Sequence, residues 1–420
     1  MGNKNITDLI LLIGTNPLPN LVVAKFFIKE NYNLKNIWLV YSEGTEKYKN
    51  NLTTCIKEYL KSINKELSFE DIEISNERAS KEIKIDIQEK IIDKIKEDKK
   101  NNRIIHLNYT GGTKSMVVHS YRTLENEFLK KISFSYLNAE NFKIYDDLEE
   151  DYISNDLRKE IKITFDDLTK LHNYTESGSE NIGKINLDTS LEIIEKIFSD
   201  KENFESFFKS ENGYKREMFS DNNGELLEKA KDIDKSKFEN FQPNAIFKEL
   251  LDSLPNEYSI FDKNFNLKEI ISNKQTDFTS GFLDGKLLEY YVFNSIKEIL
   301  DISDKQNELL ISSKICKDPK KTDMEIDITY IKGYQLFAIS CSTTDDKYMA
   351  KSKAFEVLKR AKQLGGDEAK SILITCLDYE KNEKLQNSLN TNDEKSFICL
   401  SFEDLKKDIL QEKILEFIEG

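Results

Sequence analysis

The chain contains no apolar run approaching about 18 residues, the length from which a membrane helix is read. It shows no leading apolar segment with a cleavage site either, so the expectation is neither membrane span nor export, and a cytoplasmic location. Paired cysteines are missing: Cys55, Cys316, Cys341, Cys376 and Cys399 are scattered, with no CxxC spacing. They make no zinc site by spacing and are expected as reduced thiols. Histidine is scarce, and His106, His119 and His172 form no metal-spaced cluster. Positive charge is outweighed, with 62 Lys and Arg against 76 Asp and Glu and a net charge of −14. That excludes a constitutive, tight coat on DNA, because phosphate binding needs a positive surface. It does not exclude cleavage of nucleic acid through a local basic face and metal ions.

What is present is ordinary for a globular protein of two or three domains: 420 residues, 38% hydrophobic and 33% charged. The N-terminal part alternates short apolar runs with helical spacing. Strands are expected at residues 6–14, 36–42, 67–75 and 103–109, and helices at 21–31, 45–63, 80–98 and 115–129. A hairpin over residues 131–148 closes the unit. Repeated strand–helix units mean a parallel, doubly wound sheet. Residues 171–280 read as a helical connector with polar turns at 176–181 and 220–225. A third unit begins near residue 281. It reads helix (286–300), strands (308–316, 324–331, 336–342), helix (354–364), Gly365-Gly366 and strand (371–377).

In a doubly wound sheet, ligands sit outside the carboxyl ends of the strands. Three such ends carry small, donor-rich sequences: Gly14-Thr15-Asn16-Pro17, Ser42-Glu43-Gly44-Thr45 and Thr110-Gly111-Gly112-Thr113-Lys114. The last says most. Its glycines let backbone approach an anion, the following helix offers amides, and Lys114 adds a charge. It is not a Walker A loop, because Thr113 stands where a glycine must precede the lysine. Two plainer explanations stand beside the ligand-binding one. The glycine pair also suits a tight strand-to-helix turn, and Ser42 and Thr45 also suit a helix N-cap.

Together, the segments GTNP, VYSEGT and NYTGGTKSM resemble the CARF domain, the Rossmann-like sensor associated with type III CRISPR systems. The resemblance covers roughly residues 6–150 and implies a homodimer whose facing rims bind a cyclic oligoadenylate, expected to be cyclic tetra-adenylate. Such a ring has internal phosphodiesters but no terminal phosphates, and so needs no Walker magnesium. A symmetric ring also suits a two-fold groove. By the same resemblance Gly111, Gly112, Thr113 and Lys114, with Thr110, hold phosphate and ribose. Thr15, Asn16 and Pro17 line the groove, and Ser42 and Thr45 touch the ligand edge.

The segment MEIDITYIKGYQLFAISCST carries a second pattern. Period-two alternation puts Glu325 and Asp327 on one face of a strand, and Ser340 and Ser342 on one face of its partner. Glu289 lies on the preceding helix. This resembles the PD-(D/E)xK restriction-endonuclease core of CARF-linked nucleases, over roughly residues 281–377. The resemblance implies Glu289, Glu325 and Asp327 as ligands of magnesium or manganese. It implies Asp327, Ser340 and Ser342 at the catalytic positions, with DNA or RNA as substrate. The chain departs from the pattern where the family has a lysine: here Ser342 stands. Losing such a charge costs about 2.7–4 kcal/mol of barrier. Lys347, Lys351 or Lys353 supplies it from the next helix, or the domain binds without cutting. Glu325, Asp327 and Glu289 also fit plain surface positions, and Asp345-Asp346 fits either an exposed loop or added metal ligands.

The expected fold class is therefore α/β: a Rossmann-like CARF domain (1–170), a helical connector (171–280) and a restriction-endonuclease-like α/β domain (281–420). The expected function is a type III CRISPR effector in which cyclic oligoadenylate activates metal-dependent cleavage. The alternative is a sensor with a degenerate nuclease domain. A domain that cleaves its own activator is disfavoured, since no general base stands beside the loops.

Overall fold

The computed structural model describes residues 5–97, 103–176, 187–208, 218–220, 226–239, 244–300, 307–317, 322–389 and 396–420. Most of the polar turns expected at 176–181 and 220–225 fall outside these residues.

The first sheet has seven strands in the order β3-β2-β1-β4-β5-β6-β7. Strands β1 (Asp8–Leu12), β2 (Asn36–Ser42), β3 (Ser68–Ile74), β4 (Ile105–Asn108) and β5 (Ile132–Asn138) are parallel. Strands β6 (Lys143–Asp146) and β7 (Asp151–Tyr152) close the edge antiparallel. Alternation along β1 explains its unbroken apolar run. Leu9 and Leu11 share a core with α1 (Leu18–Glu30) and α2 (Glu46–Ser62). Ile10 and Leu12 share another with α3 (Ser80–Ile87), α4 (Asp93–Glu97) and α5 (Lys114–Phe128). With both faces covered, a strand must be apolar throughout.

A strap after β7 reaches the second sheet through α6 (Phe165–Leu171). That sheet runs β13-β12-β11-β10-β9-β8. Its members are β8 (Thr175–Glu176), β9 (Asn307–Cys316), β10 (Met324–Lys332), β11 (Gln335–Ser342), β12 (Lys370–Thr375) and β13 (Phe397–Leu400). Strands β8 to β11 pair antiparallel, and β11 to β13 parallel. One face is covered by α7 (Asp188–Ser199), α8 (Lys201–Phe208), α9 (Ala245–Ser253), α10 (Asn273–Gly281), α11 (Leu287–Ile299) and, near the C-terminus, α14 (Lys407–Glu419). Described apolar side chains between residues 187 and 283 thus share a core with this sheet, joining Phe198 and Phe247 to Phe337 and Ile339. The other face is covered by α12 (Lys347–Gly365) and α13 (Tyr379–Leu389).

Three polar contacts fix the strap. Ile163 N donates to the Gly333 carbonyl (2.8 Å), Phe165 N to Glu308 Oε2 (2.8 Å) and Arg158 Nη1 to Gln335 Oε1 (2.9 Å). Gly333, in the β10–β11 turn, has φ +65°, and a Cβ there would run into the Arg158 carbonyl. Only glycine suits both demands. His172, at the end of α6, bonds the Leu364 backbone, at the junction with α12.

Candidate functional site

Strand order reverses between β1 and β4, so the loops leaving their carboxyl ends lie side by side at the switch point of the sheet. Gly14 meets Gly112 there: a Cβ on Gly14 would stand 3.2 Å from the Gly112 nitrogen. Gly112 has φ +81°, and its Cβ would come within 2.9 Å of Leu12 Cβ. A Cβ on Gly111 would strike the Leu12 carbonyl and stand 2.7 Å from Asn20 Oδ1. Buried Asn20 braces this floor by donating from Nδ2 to the Leu12 carbonyl (3.0 Å).

The other side of the loop is braced by Asn108. Its Oδ1 accepts from Thr110 N (3.2 Å) and Thr110 Oγ1 (2.8 Å), and its Nδ2 donates to Ser135 Oγ (3.0 Å). Thr113 caps α5, with Oγ1 accepting from Met116 N (3.2 Å). The backbone amides of residues 111–115 donate to no acceptor among the described residues. Lys114 is exposed and has no ion-pair partner among them. An open run of amides, the positive end of a helix and a free cation make an anion cradle.

The remaining rim residues divide. Thr15 is exposed, Pro17 is buried and leads into α1, and Asn16 Oδ1 accepts from Leu18 N (3.2 Å). The Asn16 amide also fills the space a Cβ on Gly366 would need, so this loop touches the end of α12. The Thr110 hydroxyl is used internally, since it also accepts from Leu137 N (2.7 Å). Ser42 and Thr45 are buried, and Thr45 Oγ1 accepts from Ser42 N (3.0 Å) and donates to the Ser42 carbonyl (3.2 Å). That is the helix-cap arrangement. Neither Asn20 nor Asn108 carries a sequence signal for its bracing role. Each reads as an ordinary polar residue until the loop is folded over it.

The second constellation lies where β10 leaves β11. The ladder between them stops at Ile328, opposite Ile339. At the next residue the Asp327 carboxylate takes over, with Oδ2 accepting from Cys341 N (2.8 Å) and Ser340 Oγ (3.0 Å). Burial raises the Asp327 carboxyl above its ordinary value, opposed by these donors and by the positive charge of Lys353. Of the three lysines offered by the sequence, Lys353 is the one whose charge reaches Asp327 in this way; all three lie on α12. Glu289, on α11, is pushed up to about 8, first by burial and then by the charges of Asp327 and Glu325. Its Oε2 accepts from Ser312 Oγ (3.5 Å). Glu325 pairs with Lys314 (3.7 Å). Ser342 Oγ accepts from Thr344 N (3.4 Å), and Asp346 caps α12 by accepting from Met349 N (2.8 Å).

Among the described residues no three His, Cys, Asp or Glu side chains converge as a metal cage. A magnesium-like ion needs only one or two carboxylates and keeps several waters. Glu289 and Asp327 fit that requirement. They are hard oxygen donors, and the repulsion that raises Glu289 is what a cation would relieve.

The raised Glu289 carboxyl, held up first by burial and then by its acidic neighbours, has a measurable consequence. A carboxyl that binds its proton more tightly folded than unfolded stabilises the fold below its unfolded value. The contribution is lost as pH rises towards the folded value. In EDTA the stability should therefore fall from pH 4.5 to about 8, the window of Glu289, by roughly a few kcal/mol. Thermal melts across this range should show the fall. Magnesium should oppose it, most strongly at the alkaline end, and Glu289→Gln should flatten it.

Residues 9–167 match the family model of the Card1 CARF domain. The N-terminal unit is a Rossmann-like CARF domain. The whole chain resembles solved structures, among them the following two. One is protein VC1899 from Vibrio cholerae, at 13% identity, with 98% of each chain covered and a TM-score of 0.67. The other is Can2 from Sulfobacillus thermosulfidooxidans, solved in complex with cyclic tetra-adenylate, at 13% identity. It covers 98% of this chain and 99% of that one, with a TM-score of 0.58. At this identity the likeness concerns the fold. No curated protein matches the chain. Among the described residues no helix is long and apolar enough to cross a membrane.

Proposed function

We propose that the protein is a cyclic-oligoadenylate-gated nuclease of type III CRISPR defence. Cyclic tetra-adenylate binds between the switch-point rims of two copies and activates phosphodiester cleavage at the cleft of Glu289, Asp327 and Lys353. The anion cradle at residues 111–115 carries the first half of this reading. It offers unpaired amides and a lysine to internal phosphates, with none of the terminal-phosphate apparatus of a Walker loop. The match of residues 9–167 to a CARF domain supports it, as does the complex seen in Can2.

The second half is supported by the arrangement around Asp327. The sheet order β9-β10-β11 antiparallel, α12, then β12 parallel suits a restriction-endonuclease-like domain over residues 281–420. Glu289 and Asp327 would hold magnesium or manganese, which supplies Lewis-acid stabilisation of the phosphate and a more acidic water. Ser340 and the Cys341 amide orient the Asp327 carboxylate. Lys353, which also pairs with Glu356 at 3.6 Å, brings a positive charge that acts on Asp327 and would stand in for the one Ser342 lacks.

A second reading, a sensor that grips nucleic acid without cutting, is favoured by the serines at 340 and 342. The deciding assay offers supercoiled plasmid, single-stranded DNA and RNA with manganese, with and without cyclic tetra-adenylate. Cutting only with the ring is the expected result. Retention of the nucleic acid without cutting would establish the second reading.

Lys114→Ala should weaken ring binding by about tenfold to a hundredfold, the worth of one charge-assisted contact. Calorimetric titration measures this directly. Unchanged affinity would remove the cradle from the binding site.

A further inference from the structure

A cavity of about 200 Å³ opens at the carboxyl ends of β11, β12 and β13. Its lining includes Phe204, Phe402, Thr343, Asp345, Cys376 and Asp378. We propose that it receives one nucleobase of the substrate strand and prefers adenine or cytosine, whose amino group stands where thymine and uracil carry a carbonyl. The inference rests on the C-terminal domain binding nucleic acid.

Position is the first argument. Cys341, whose amide holds Asp327, is followed by Ser342 and then by Thr343 on the cavity wall. Two residues of extended chain span about 7 Å. A phosphate at Asp327 therefore leaves its neighbouring nucleoside within reach of the cavity. The buried Cys341 thiol feels the charges of Asp327 and Glu289 as well as Cys376, which lines the cavity.

Size and surface are the second. The volume gives far more room than a single water or ion needs. Phe204 and Phe402, largely buried with ring centroids 4.9 Å apart, give one side of the cavity an apolar lining. A flat apolar base surface suits such a lining.

Charged groups of both signs line the cavity: Lys201, Glu205 and Glu403 beside Asp345, Asp378 and Lys381. Asp378 is taken by Lys381 at 3.1 Å, and the selectivity is assigned to Asp345. Asp345 is exposed, has no hydrogen-bond or ion-pair partner among the described residues, and its charge acts on the Cys376 thiol in the cavity. A carboxylate accepts from the amino group of cytosine or adenine and repels the carbonyl that thymine and uracil present at that position. Cys376 is buried and has no hydrogen-bond partner among the described residues, leaving a weak donor on the floor.

The test separates binding from cutting. Fluorescently labelled short homopolymers of deoxyadenylate, deoxycytidylate and thymidylate are titrated with the full-length protein in EDTA, with and without cyclic tetra-adenylate. Deoxyadenylate and deoxycytidylate should bind about tenfold more tightly than thymidylate, and Asp345→Asn should erase the difference. Equal binding of all three, unchanged by Asp345→Asn, would overturn the base pocket while leaving the nucleic-acid reading intact. Binding of none under either condition would overturn both.

Discussion

On the proposed reading, Gly111→Ala should abolish recognition of cyclic tetra-adenylate while leaving most of the chain folded. The added methyl has nowhere to go: the Leu12 carbonyl and the Asn20 side chain occupy its place. Asn20 cannot swing away cheaply, because its Nδ2 satisfies that same carbonyl inside the core. The loop must lift instead, and the amides of residues 111–115 lose their common direction. Overpacking of this kind costs roughly 1–3 kcal/mol of stability. Displacing a preorganised donor set by about 1 Å costs about a hundredfold or more. Calorimetric titration should show no measurable binding, and a thermal melt should show a modest loss. Gly44→Ala is the control, since nothing lies within 4 Å of a Cβ at that position. Its binding and melting should match those of the parent. If Gly111→Ala bound the ring as the parent does, the glycine pair would be a turn and nothing more.

On the proposed reading, Asp327→Ala should remove cutting, by about a thousandfold or more, because it takes away both the proposed metal ligand and the anchor between β10 and β11. Asp327→Asn should do the same to the rate. Its fold should be no weaker, because burial opposes charge at this position. Lys353→Ala should cost about 10²–10³ in rate, the usual loss for one electrostatic group. Ser342→Lys should raise the rate of the parent and rescue Lys353→Ala. Single-turnover assays with ring and manganese present separate these effects from binding. A parent-like rate in Asp327→Ala would show that the cleft is misplaced.

Much of this was legible in the sequence because its signal is local. Residues 36–42 form β2 with the bounds that the apolar run suggested. The alternation of apolar runs with helical spacing correctly indicated the doubly wound sheet. The first strand is shorter than its apolar stretch, Asp8–Leu12, because Ile6 and Ile13 are buried outside the ladder. The helix expected at residues 354–364 begins at Lys347. Its first turns carry exposed Tyr348 and Met349, which obscure the periodicity, and the Asp346 cap gives the true start. That extension places Lys353 on the helix beside the acids. The approach of Lys353 to Asp327, the bracing by Asn20 and the shared core of residues 187–283 with the second sheet depend on distant partners. No spacing rule reaches them.

Asn16 ties the rim to the end of α12 by filling the gap above Gly366, while Lys353 sits nearer the start of the same helix. A ring that favours one position of the Asn16 loop therefore favours one setting of that helix. Thermodynamic reciprocity then runs the other way with equal force. A nucleic acid or metal ion that prefers one setting of α12 must change the affinity of the rim for its ring by the same factor. On the proposed reading, substrate abundance would then help decide how long the ring stays bound.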